Sequence, residues 1–344
     1  MHKSLTTAYN TSNAVLLPGS GTYAMEAAAR AFGYGEGKKV LVVRNGYFSF
    51  RWTQIFECLG KAESDMCVMK AGPVDGADWK TNPSVAPPPI EDVVAKILEW
   101  KPAMVCAPHV ETSAGIIIPD EYVAALGEAA KEVGAAFVLD GVASGTAWID
   151  MTKLSVDCYV TAPQKGWSGP ACCGIVMVSD RGLELAQAAK PSSFSVDLCK
   201  WQTVMQAYLK GGHMYHTTMP TDAIRTFRDV SLEIHEFGLA KAQEECWRLG
   251  FGVRDVLKKH GFKSVAAKGF ESPGVAVVYA PDMSYAAKFK VQSLQIAAGV
   301  PLKIGEPTEG FCTFRIGLFG LDKLQNVDLA ISNFDKALTS IINA

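Results

Sequence analysis

Short apolar runs recur along the first two-thirds of the chain: KKVLVVRN (38–45), AMVCAP (103–108), AAFVLD (135–140), DCYVTA (157–162) and CGIVMVS (173–179). Each is nearly continuous rather than alternating. That is the pattern of strands covered on both faces, and it predicts a buried, mostly parallel sheet. Between them, 90–100 and 120–133 space their apolar residues as helices do, and strand–helix–strand in this rhythm predicts an α/β domain. The proline-rich NPSVAPPP (82–89) reads as a surface loop ahead of a helix. From 221 to 260 few breakers interrupt a helical pattern. GVAVVYA (274–280) and CTFRIGLF (312–319) then read as isolated strands, and 324–342 as a closing helix. This order predicts a large domain over 1–228 and a smaller α+β domain over 229–344.

Composition mainly excludes. The 344 residues are enough for a substantial core, and 49% hydrophobic with 20% charged is ordinary for a globular protein. A net charge of −2 and a pI near 6.3 give no basic surface for nucleic acid or an anionic membrane. No apolar run reaches the roughly 18 residues of a membrane span, and MHKSLTTAYNTSNAV lacks the apolar centre of a signal peptide. The nine cysteines are scattered, with no CxxC and no cysteine/histidine set at zinc spacing. Reduced thiols in the cytoplasm, and no metal, are expected.

Sheets of this kind bind ligands at the carboxyl ends of their strands, and several polar segments fall at such ends. In LLPGSGTYAMEAAAR (16–30) a glycine-serine turn opens a helix, so free backbone N–H groups with the Ser20 and Thr22 hydroxyls form a candidate anion cradle. It is not a Walker motif, because no GK[ST] follows, and it lacks the third glycine of a dinucleotide-binding turn. PHVETSAG (108–115) ends another strand with His109, Glu111, Thr112 and Ser113, and FVLDGVAS puts Asp140 at the end of the next. TAPQKGWSGPACCG (161–174) leaves Lys165 just past an apolar strand, where a bare ammonium is costly to desolvate. An aspartate and a lysine on successive strand ends have a specific joint use. The amine forms an imine with pyridoxal 5′-phosphate, while the carboxylate pairs with the protonated pyridine nitrogen. Taken one at a time these residues stay ambiguous: the turn can be a plain helix cap, Phe48 a core aromatic, Arg315 a solvated strand residue.

The ordered set GSGTYAMEAA, NGYFSFR, HVETSAG, VLDGVASG, PQKGWSGP, YHTTMPT and FRIGLFG, from about residue 16 to the C-terminus, resembles the class V aminotransferases of pyridoxal-phosphate fold type I. The branch it resembles is that of the alanine–glyoxylate, serine–pyruvate and 2-aminoethylphosphonate transaminases. The resemblance implies a large domain with a mostly parallel seven-stranded sheet between helices, plus a smaller α+β C-terminal domain. It implies that Lys165 and Asp140 are catalytic and that Ser20, Gly21, Thr22 and Gln164 hold the cofactor phosphate. Phe48 and Val142 would cover the two faces of the pyridine ring, and Thr112 would approach its ring oxygen. Tyr215 and Thr218 would reach the cofactor of a neighbouring subunit, making a homodimer with shared sites, and Arg315 would clamp a substrate carboxylate.

The implied reaction is ping-pong transfer of an amino group, through a Lys165 aldimine, from a small amino acid or aminophosphonate to a 2-oxo acid such as pyruvate or glyoxylate. A lyase, racemase or desulfurase outcome on the same fold, or a non-catalytic descendant, is the alternative. A desulfurase needs a mobile cysteine, and Cys312 is the late candidate. His109 can line the site, and His216 can support the loop that carries Tyr215. Family members carry a longer N-terminal segment with a Gly-Pro-Gly, whereas Met1 here stands almost at the first helix.

Overall fold

The computed structural model describes residues 1–343. It begins α1 (His2–Tyr9), β1 (Asn13–Pro18), α2 (Gly21–Ala28), β2 (Val40–Arg44), α3 (Tyr47–Cys58), β3 (Met66–Lys70), β4 (Gly72–Pro73) and β5 (Val85–Ala86). Next come α4 (Ile90–Trp100), β6 (Met104–Pro108), β7 (Val110–Glu111), β8 (Ile116–Ile117), α5 (Asp120–Glu132), β9 (Ala136–Asp140), β10 (Cys158–Thr161) and β11 (Cys173–Val178). Helices α6 (Asp180–Gln187), α7 (Leu198–Leu209), α8 (Thr221–Phe237) and α9 (Leu239–Lys259) follow. The chain ends with β12 (Val275–Tyr279), α10 (Tyr285–Val291), β13 (Ala297–Ala298), β14 (Thr313–Gly317), α11 (Leu321–Leu324) and α12 (Val327–Ile342).

Seven strands pair in the order β1-β11-β10-β9-β6-β2-β3. Only β11 runs against its neighbours, so the carboxyl ends of the other six gather at one edge, around Pro18, Arg44, Pro108, Asp140 and Thr161. The continuous apolar runs have the cause their pattern predicts, because helices cover both faces. Along β9, Phe137 and Leu139 join the layer of α1, α4, α5, α8 and α9, while Ala136 and Val138 join the layer of α2, α3 and α7. The large side chains in both layers, such as Trp52, Phe56 and Phe137, are fully buried.

Strands β12, β14 and β13 form a second, antiparallel sheet. In β14 the side chains alternate: Phe314 and Ile316 pack into the core with Phe289 and Phe334, which leaves Arg315 and Gly317 on the opposite face. One expectation changes. The 82–89 segment is not a surface loop throughout but a strap whose Pro83, Val85, Pro87 and Pro88 are buried, tied to Val265, β12 and α5, with Asn82 and Pro89 exposed at its ends. Val85 is fully buried, its amide donates to Val265 O at 2.7 Å, and the Tyr279 and Tyr122 hydroxyls donate to Pro83 O and Pro88 O. The helical pattern of 221–260 is present as two helices, α8 and α9, which part at Gly238 with φ 100°. The edge strand β3 was missed although its first four residues, MCVM, are an unbroken apolar run; the run is short and only half-buried.

Candidate active site

A cavity of about 520 Å³ opens at the carboxyl edge of the large sheet, facing β14. Ser20, Gly21, Thr22, Phe48, Thr112, Asp140, Val142, Gln164, Lys165 and Arg315 all line it. Its floor starts where β1 ends. Gly19 turns the chain with φ 115°, a left-handed conformation in which a Cβ would fall 2.6 Å from the Tyr23 ring. Ser20 then caps α2 through its carbonyl, which accepts from the Tyr23 and Ala24 amides, while its hydroxyl makes no capping bond. The Gly21 and Thr22 amides precede the first intrahelical donors, so they remain available to a ligand. Gly21 touches the Val142 wall so closely that a Cβ would lie 2.8 Å from it.

Asp140 closes β9 and is 7% exposed. Its Oδ1 accepts from the Val142 amide at 3.1 Å, and among the described residues no cation pairs with it. Burial pushes its carboxyl from 3.8 up to about 7; the nearby Glu111 carboxylate pushes the same way, and the Val142 amide opposes both. Lys165 follows β10 on a tight turn in which the Gly169 amide donates to Pro163 O. That turn packs directly on the 141–147 loop, where a Cβ on Gly166 would fall within 1.8 Å of Gly145 O. The Lys165 ammonium is half-buried, with Nζ 5.4 Å from the Phe319 ring centroid. Burial, then the Arg315 charge, hold its pKa below the ordinary lysine value. Both effects favour the neutral, nucleophilic amine.

The opposite wall is Phe48 with a guanidinium near its ring from each of two elements: Arg51 of α3 at 5.7 Å and Arg315 of β14 at 5.6 Å from the centroid. Arg315 Nε donates to Ala298 O at 2.9 Å, which braces it on β13. Phe48 is held by Glu111, a fully buried carboxylate that closes β7 and acts as the anion of the α3 N-terminus. Glu111 accepts from the Phe48 and Ser49 amides (3.1 and 2.9 Å), the Ser49 hydroxyl (2.7 Å), and the Ser113 amide and hydroxyl (3.0 and 2.7 Å). Each amide left unpaired by its loss would cost about 1–3 kcal/mol.

Sequence reasoning singled out neither Arg51 nor Phe319, and it noted Glu111 as a polar strand-end residue without a role. Arg51 was within reach, since it lies three residues after Phe48 in the same motif, one helical turn away. Other expected residues stand apart. The Tyr215 and Thr218 hydroxyls lie 3.5 Å from each other on an exposed segment and do not enter the cavity of their own chain; Tyr215 is 70% exposed. His216 Nε2 donates to Phe194 O at 2.8 Å and the ring lies against Trp201, bracing that segment. His109 does not line the cavity. It is buried with Nδ1 2.8 Å from Ser144 Oγ, its amide donates to Asp140 O, and burial lowers its pKa to about 4. Cys312 lies beside Met283, outside the cavity. Among the described residues no cluster suits a metal ion and no helix is long and apolar enough to cross a membrane.

The profile of the family described as "Aminotransferase class-V" matches residues 3–278. The chain belongs to that family. It is similar to the 2-aminoethylphosphonate–pyruvate transaminase of Klebsiella pneumoniae, 27% identical over 336 residues, which are 94% of this chain and 83% of that protein. Among solved structures it is similar to the ureidoglycine–glyoxylate aminotransferase of Bacillus subtilis (TM-score 0.79, 21% identity, 100% of this chain and 84% of the other). The alanine–glyoxylate aminotransferase of Nostoc sp. is as close (TM-score 0.79, 21% identity, 98% and 85%). The fold is therefore fold type I, the protein is a transaminase, and its cofactor is pyridoxal 5′-phosphate. The residues present fit that group. A buried carboxylate without a cation, a half-buried amine of lowered pKa and a cradle of free amides and hydroxyls share one cavity.

Proposed function

We propose that this class V transaminase moves an amino group from a small anionic donor, an aminophosphonate or an amino acid, to a 2-oxo acid such as pyruvate or glyoxylate. The observation that carries the reading is the convergence of Lys165, Asp140 and Arg315 on one cavity from three different elements. When bound, pyridoxal 5′-phosphate supplies an aldehyde that captures amines and a ring that accepts the electron pair released at the substrate Cα. Lys165 Nζ would be the amine that holds the aldehyde, and as a free amine it would take the proton from the substrate Cα and carry it as the site's general base and acid. Asp140 keeps the ring nitrogen protonated through a charge-assisted hydrogen bond. Ser20, Gly21, Thr22 and Gln164 bind the phosphate, Phe48 and Val142 enclose the ring, Thr112 meets its oxygen, and Arg315 receives the donor's or acceptor's anionic group.

The same reading makes the protein a cytoplasmic homodimer. The exposed Tyr215 and Thr218 hydroxyls, idle in their own chain, support a reach into a partner's site. Cysteines without framework spacing support a reducing compartment. The division into 1–228 and 229–344 places the cofactor residues in the large unit and Arg315 in the small one.

Transamination is tested by its half-reactions. Adding 2-aminoethylphosphonate or alanine alone to the pyridoxal-phosphate-loaded protein is expected to convert its visible absorbance to that of the amine form. Pyruvate or glyoxylate then restores it, and initial rates give the parallel lines of a ping-pong scheme. Product release with no amine form, at any donor tried, assigns a lyase or racemase instead.

A further inference from the structure

Arg51 has no part in the roles above, yet its guanidinium lines the same cavity. Nη1 donates to Thr22 Oγ1 at 2.9 Å, and among the described residues it pairs with no carboxylate. A guanidinium has donors and no acceptor, so the Thr22 oxygen must accept and its own proton must be aimed elsewhere. At the same spot the first turn of α2 leaves the Gly21 and Thr22 amides free, and the Ser20 hydroxyl makes no capping bond. Hydroxyl protons, amides and a planar cation outside any ion pair, its charge felt by Asp140 in the same cavity, suit a tetrahedral phosphorus oxyanion. The two cavity arginines are tethered differently: Arg51 to the α2 turn through Thr22, Arg315 to the small sheet through Ala298 O.

We propose that Arg51 is the cation of the cofactor-phosphate subsite. It binds the phosphate ester directly and, through its bond to Thr22, presents that hydroxyl as a donor. The inference rests on reading the 20–22 turn as the phosphate end of the site. A phosphonate on the substrate has the same chemistry, and the test separates the two sources.

The 344-residue chain, freed of cofactor, is titrated with pyridoxal 5′-phosphate and with unphosphorylated pyridoxal, as wild type, Arg51→Gln and Arg51→Lys. Wild type should prefer the phosphorylated form. Arg51→Gln should weaken pyridoxal 5′-phosphate about 30-fold and leave pyridoxal within about 3-fold, and Arg51→Lys should recover part of the loss. An unchanged ratio of the two affinities in Arg51→Gln, whether both fall or neither does, overturns the proposal. So does an unchanged ratio with a raised KM for 2-aminoethylphosphonate, which assigns Arg51 to the substrate. Equal binding of the two vitamers by wild type removes the reading of the turn itself.

Discussion

Lys165→Ala is expected to lower turnover by about 10⁴-fold or more while leaving the fold intact. The size follows from the two tasks assigned to one amine, holding the cofactor covalently and moving the Cα proton. Among the described residues no other lysine lines the cavity, so neither task has a substitute. The fold should tolerate the change because Lys165 Nζ lies half-buried over the Phe319 ring and is braced by no ion pair. Removing a partly desolvated cation next to Arg315 relieves the repulsion that lowers its pKa. The check is turnover together with the denaturant midpoint. Retention of more than about 1% of the activity at an unchanged midpoint would mean that Lys165 carries neither task.

Asp140→Asn separates function from stability with opposite signs. In the loaded enzyme the carboxylate stabilises charge that develops on the ring during proton abstraction. Its loss should lower kcat by about 10³-fold and move KM far less. In the cofactor-free protein the same carboxylate is a liability, because burial raises its pKa from 3.8 to about 7. Between those values the folded state binds more protons than the unfolded state, so stability falls as pH rises from about 4 to 7 and levels off above. The loss is on the order of 4 kcal/mol. Asparagine carries no such charge, so the cofactor-free variant should be more stable than wild type at pH 8, with a gap that closes as the pH falls toward 4. A constant gap across that range, or a less stable variant at pH 8, would contradict the buried, unpaired carboxylate.

How much of this was legible depended on which force fixed each element. The inner strands could be read because burial on both faces demands unbroken apolar runs, and five of them lie within a residue or two of the segments predicted from sequence. Strand β3 escaped although MCVM is apolar, because the run is only four residues long and sits half-buried at the sheet edge. The 82–89 strap escaped because its prolines lack amide donors and are held instead through their carbonyls and through Val85, contacts whose partners lie 34 to 196 residues away. In the site, residues at strand ends were visible because topology brings strand ends together. Phe48, Thr112 and Arg315 were ambiguous alone, and their shared cavity came only from the order of the motifs. Arg51 could be found from its place one helical turn after Phe48, whereas Glu111 acts through the α3 amides of Phe48 and Ser49, 63 and 62 residues away, and no spacing rule exposes so distant a pairing.

The most direct measurement is to load the protein with pyridoxal 5′-phosphate, reduce it with borohydride, digest it and map the modified peptide by mass spectrometry. The pyridoxyl group is expected on the peptide containing Lys165 and on that residue alone. Its appearance on another lysine, or a chain left unmodified after loading, would contradict the assignment of Lys165 as the cofactor-holding amine.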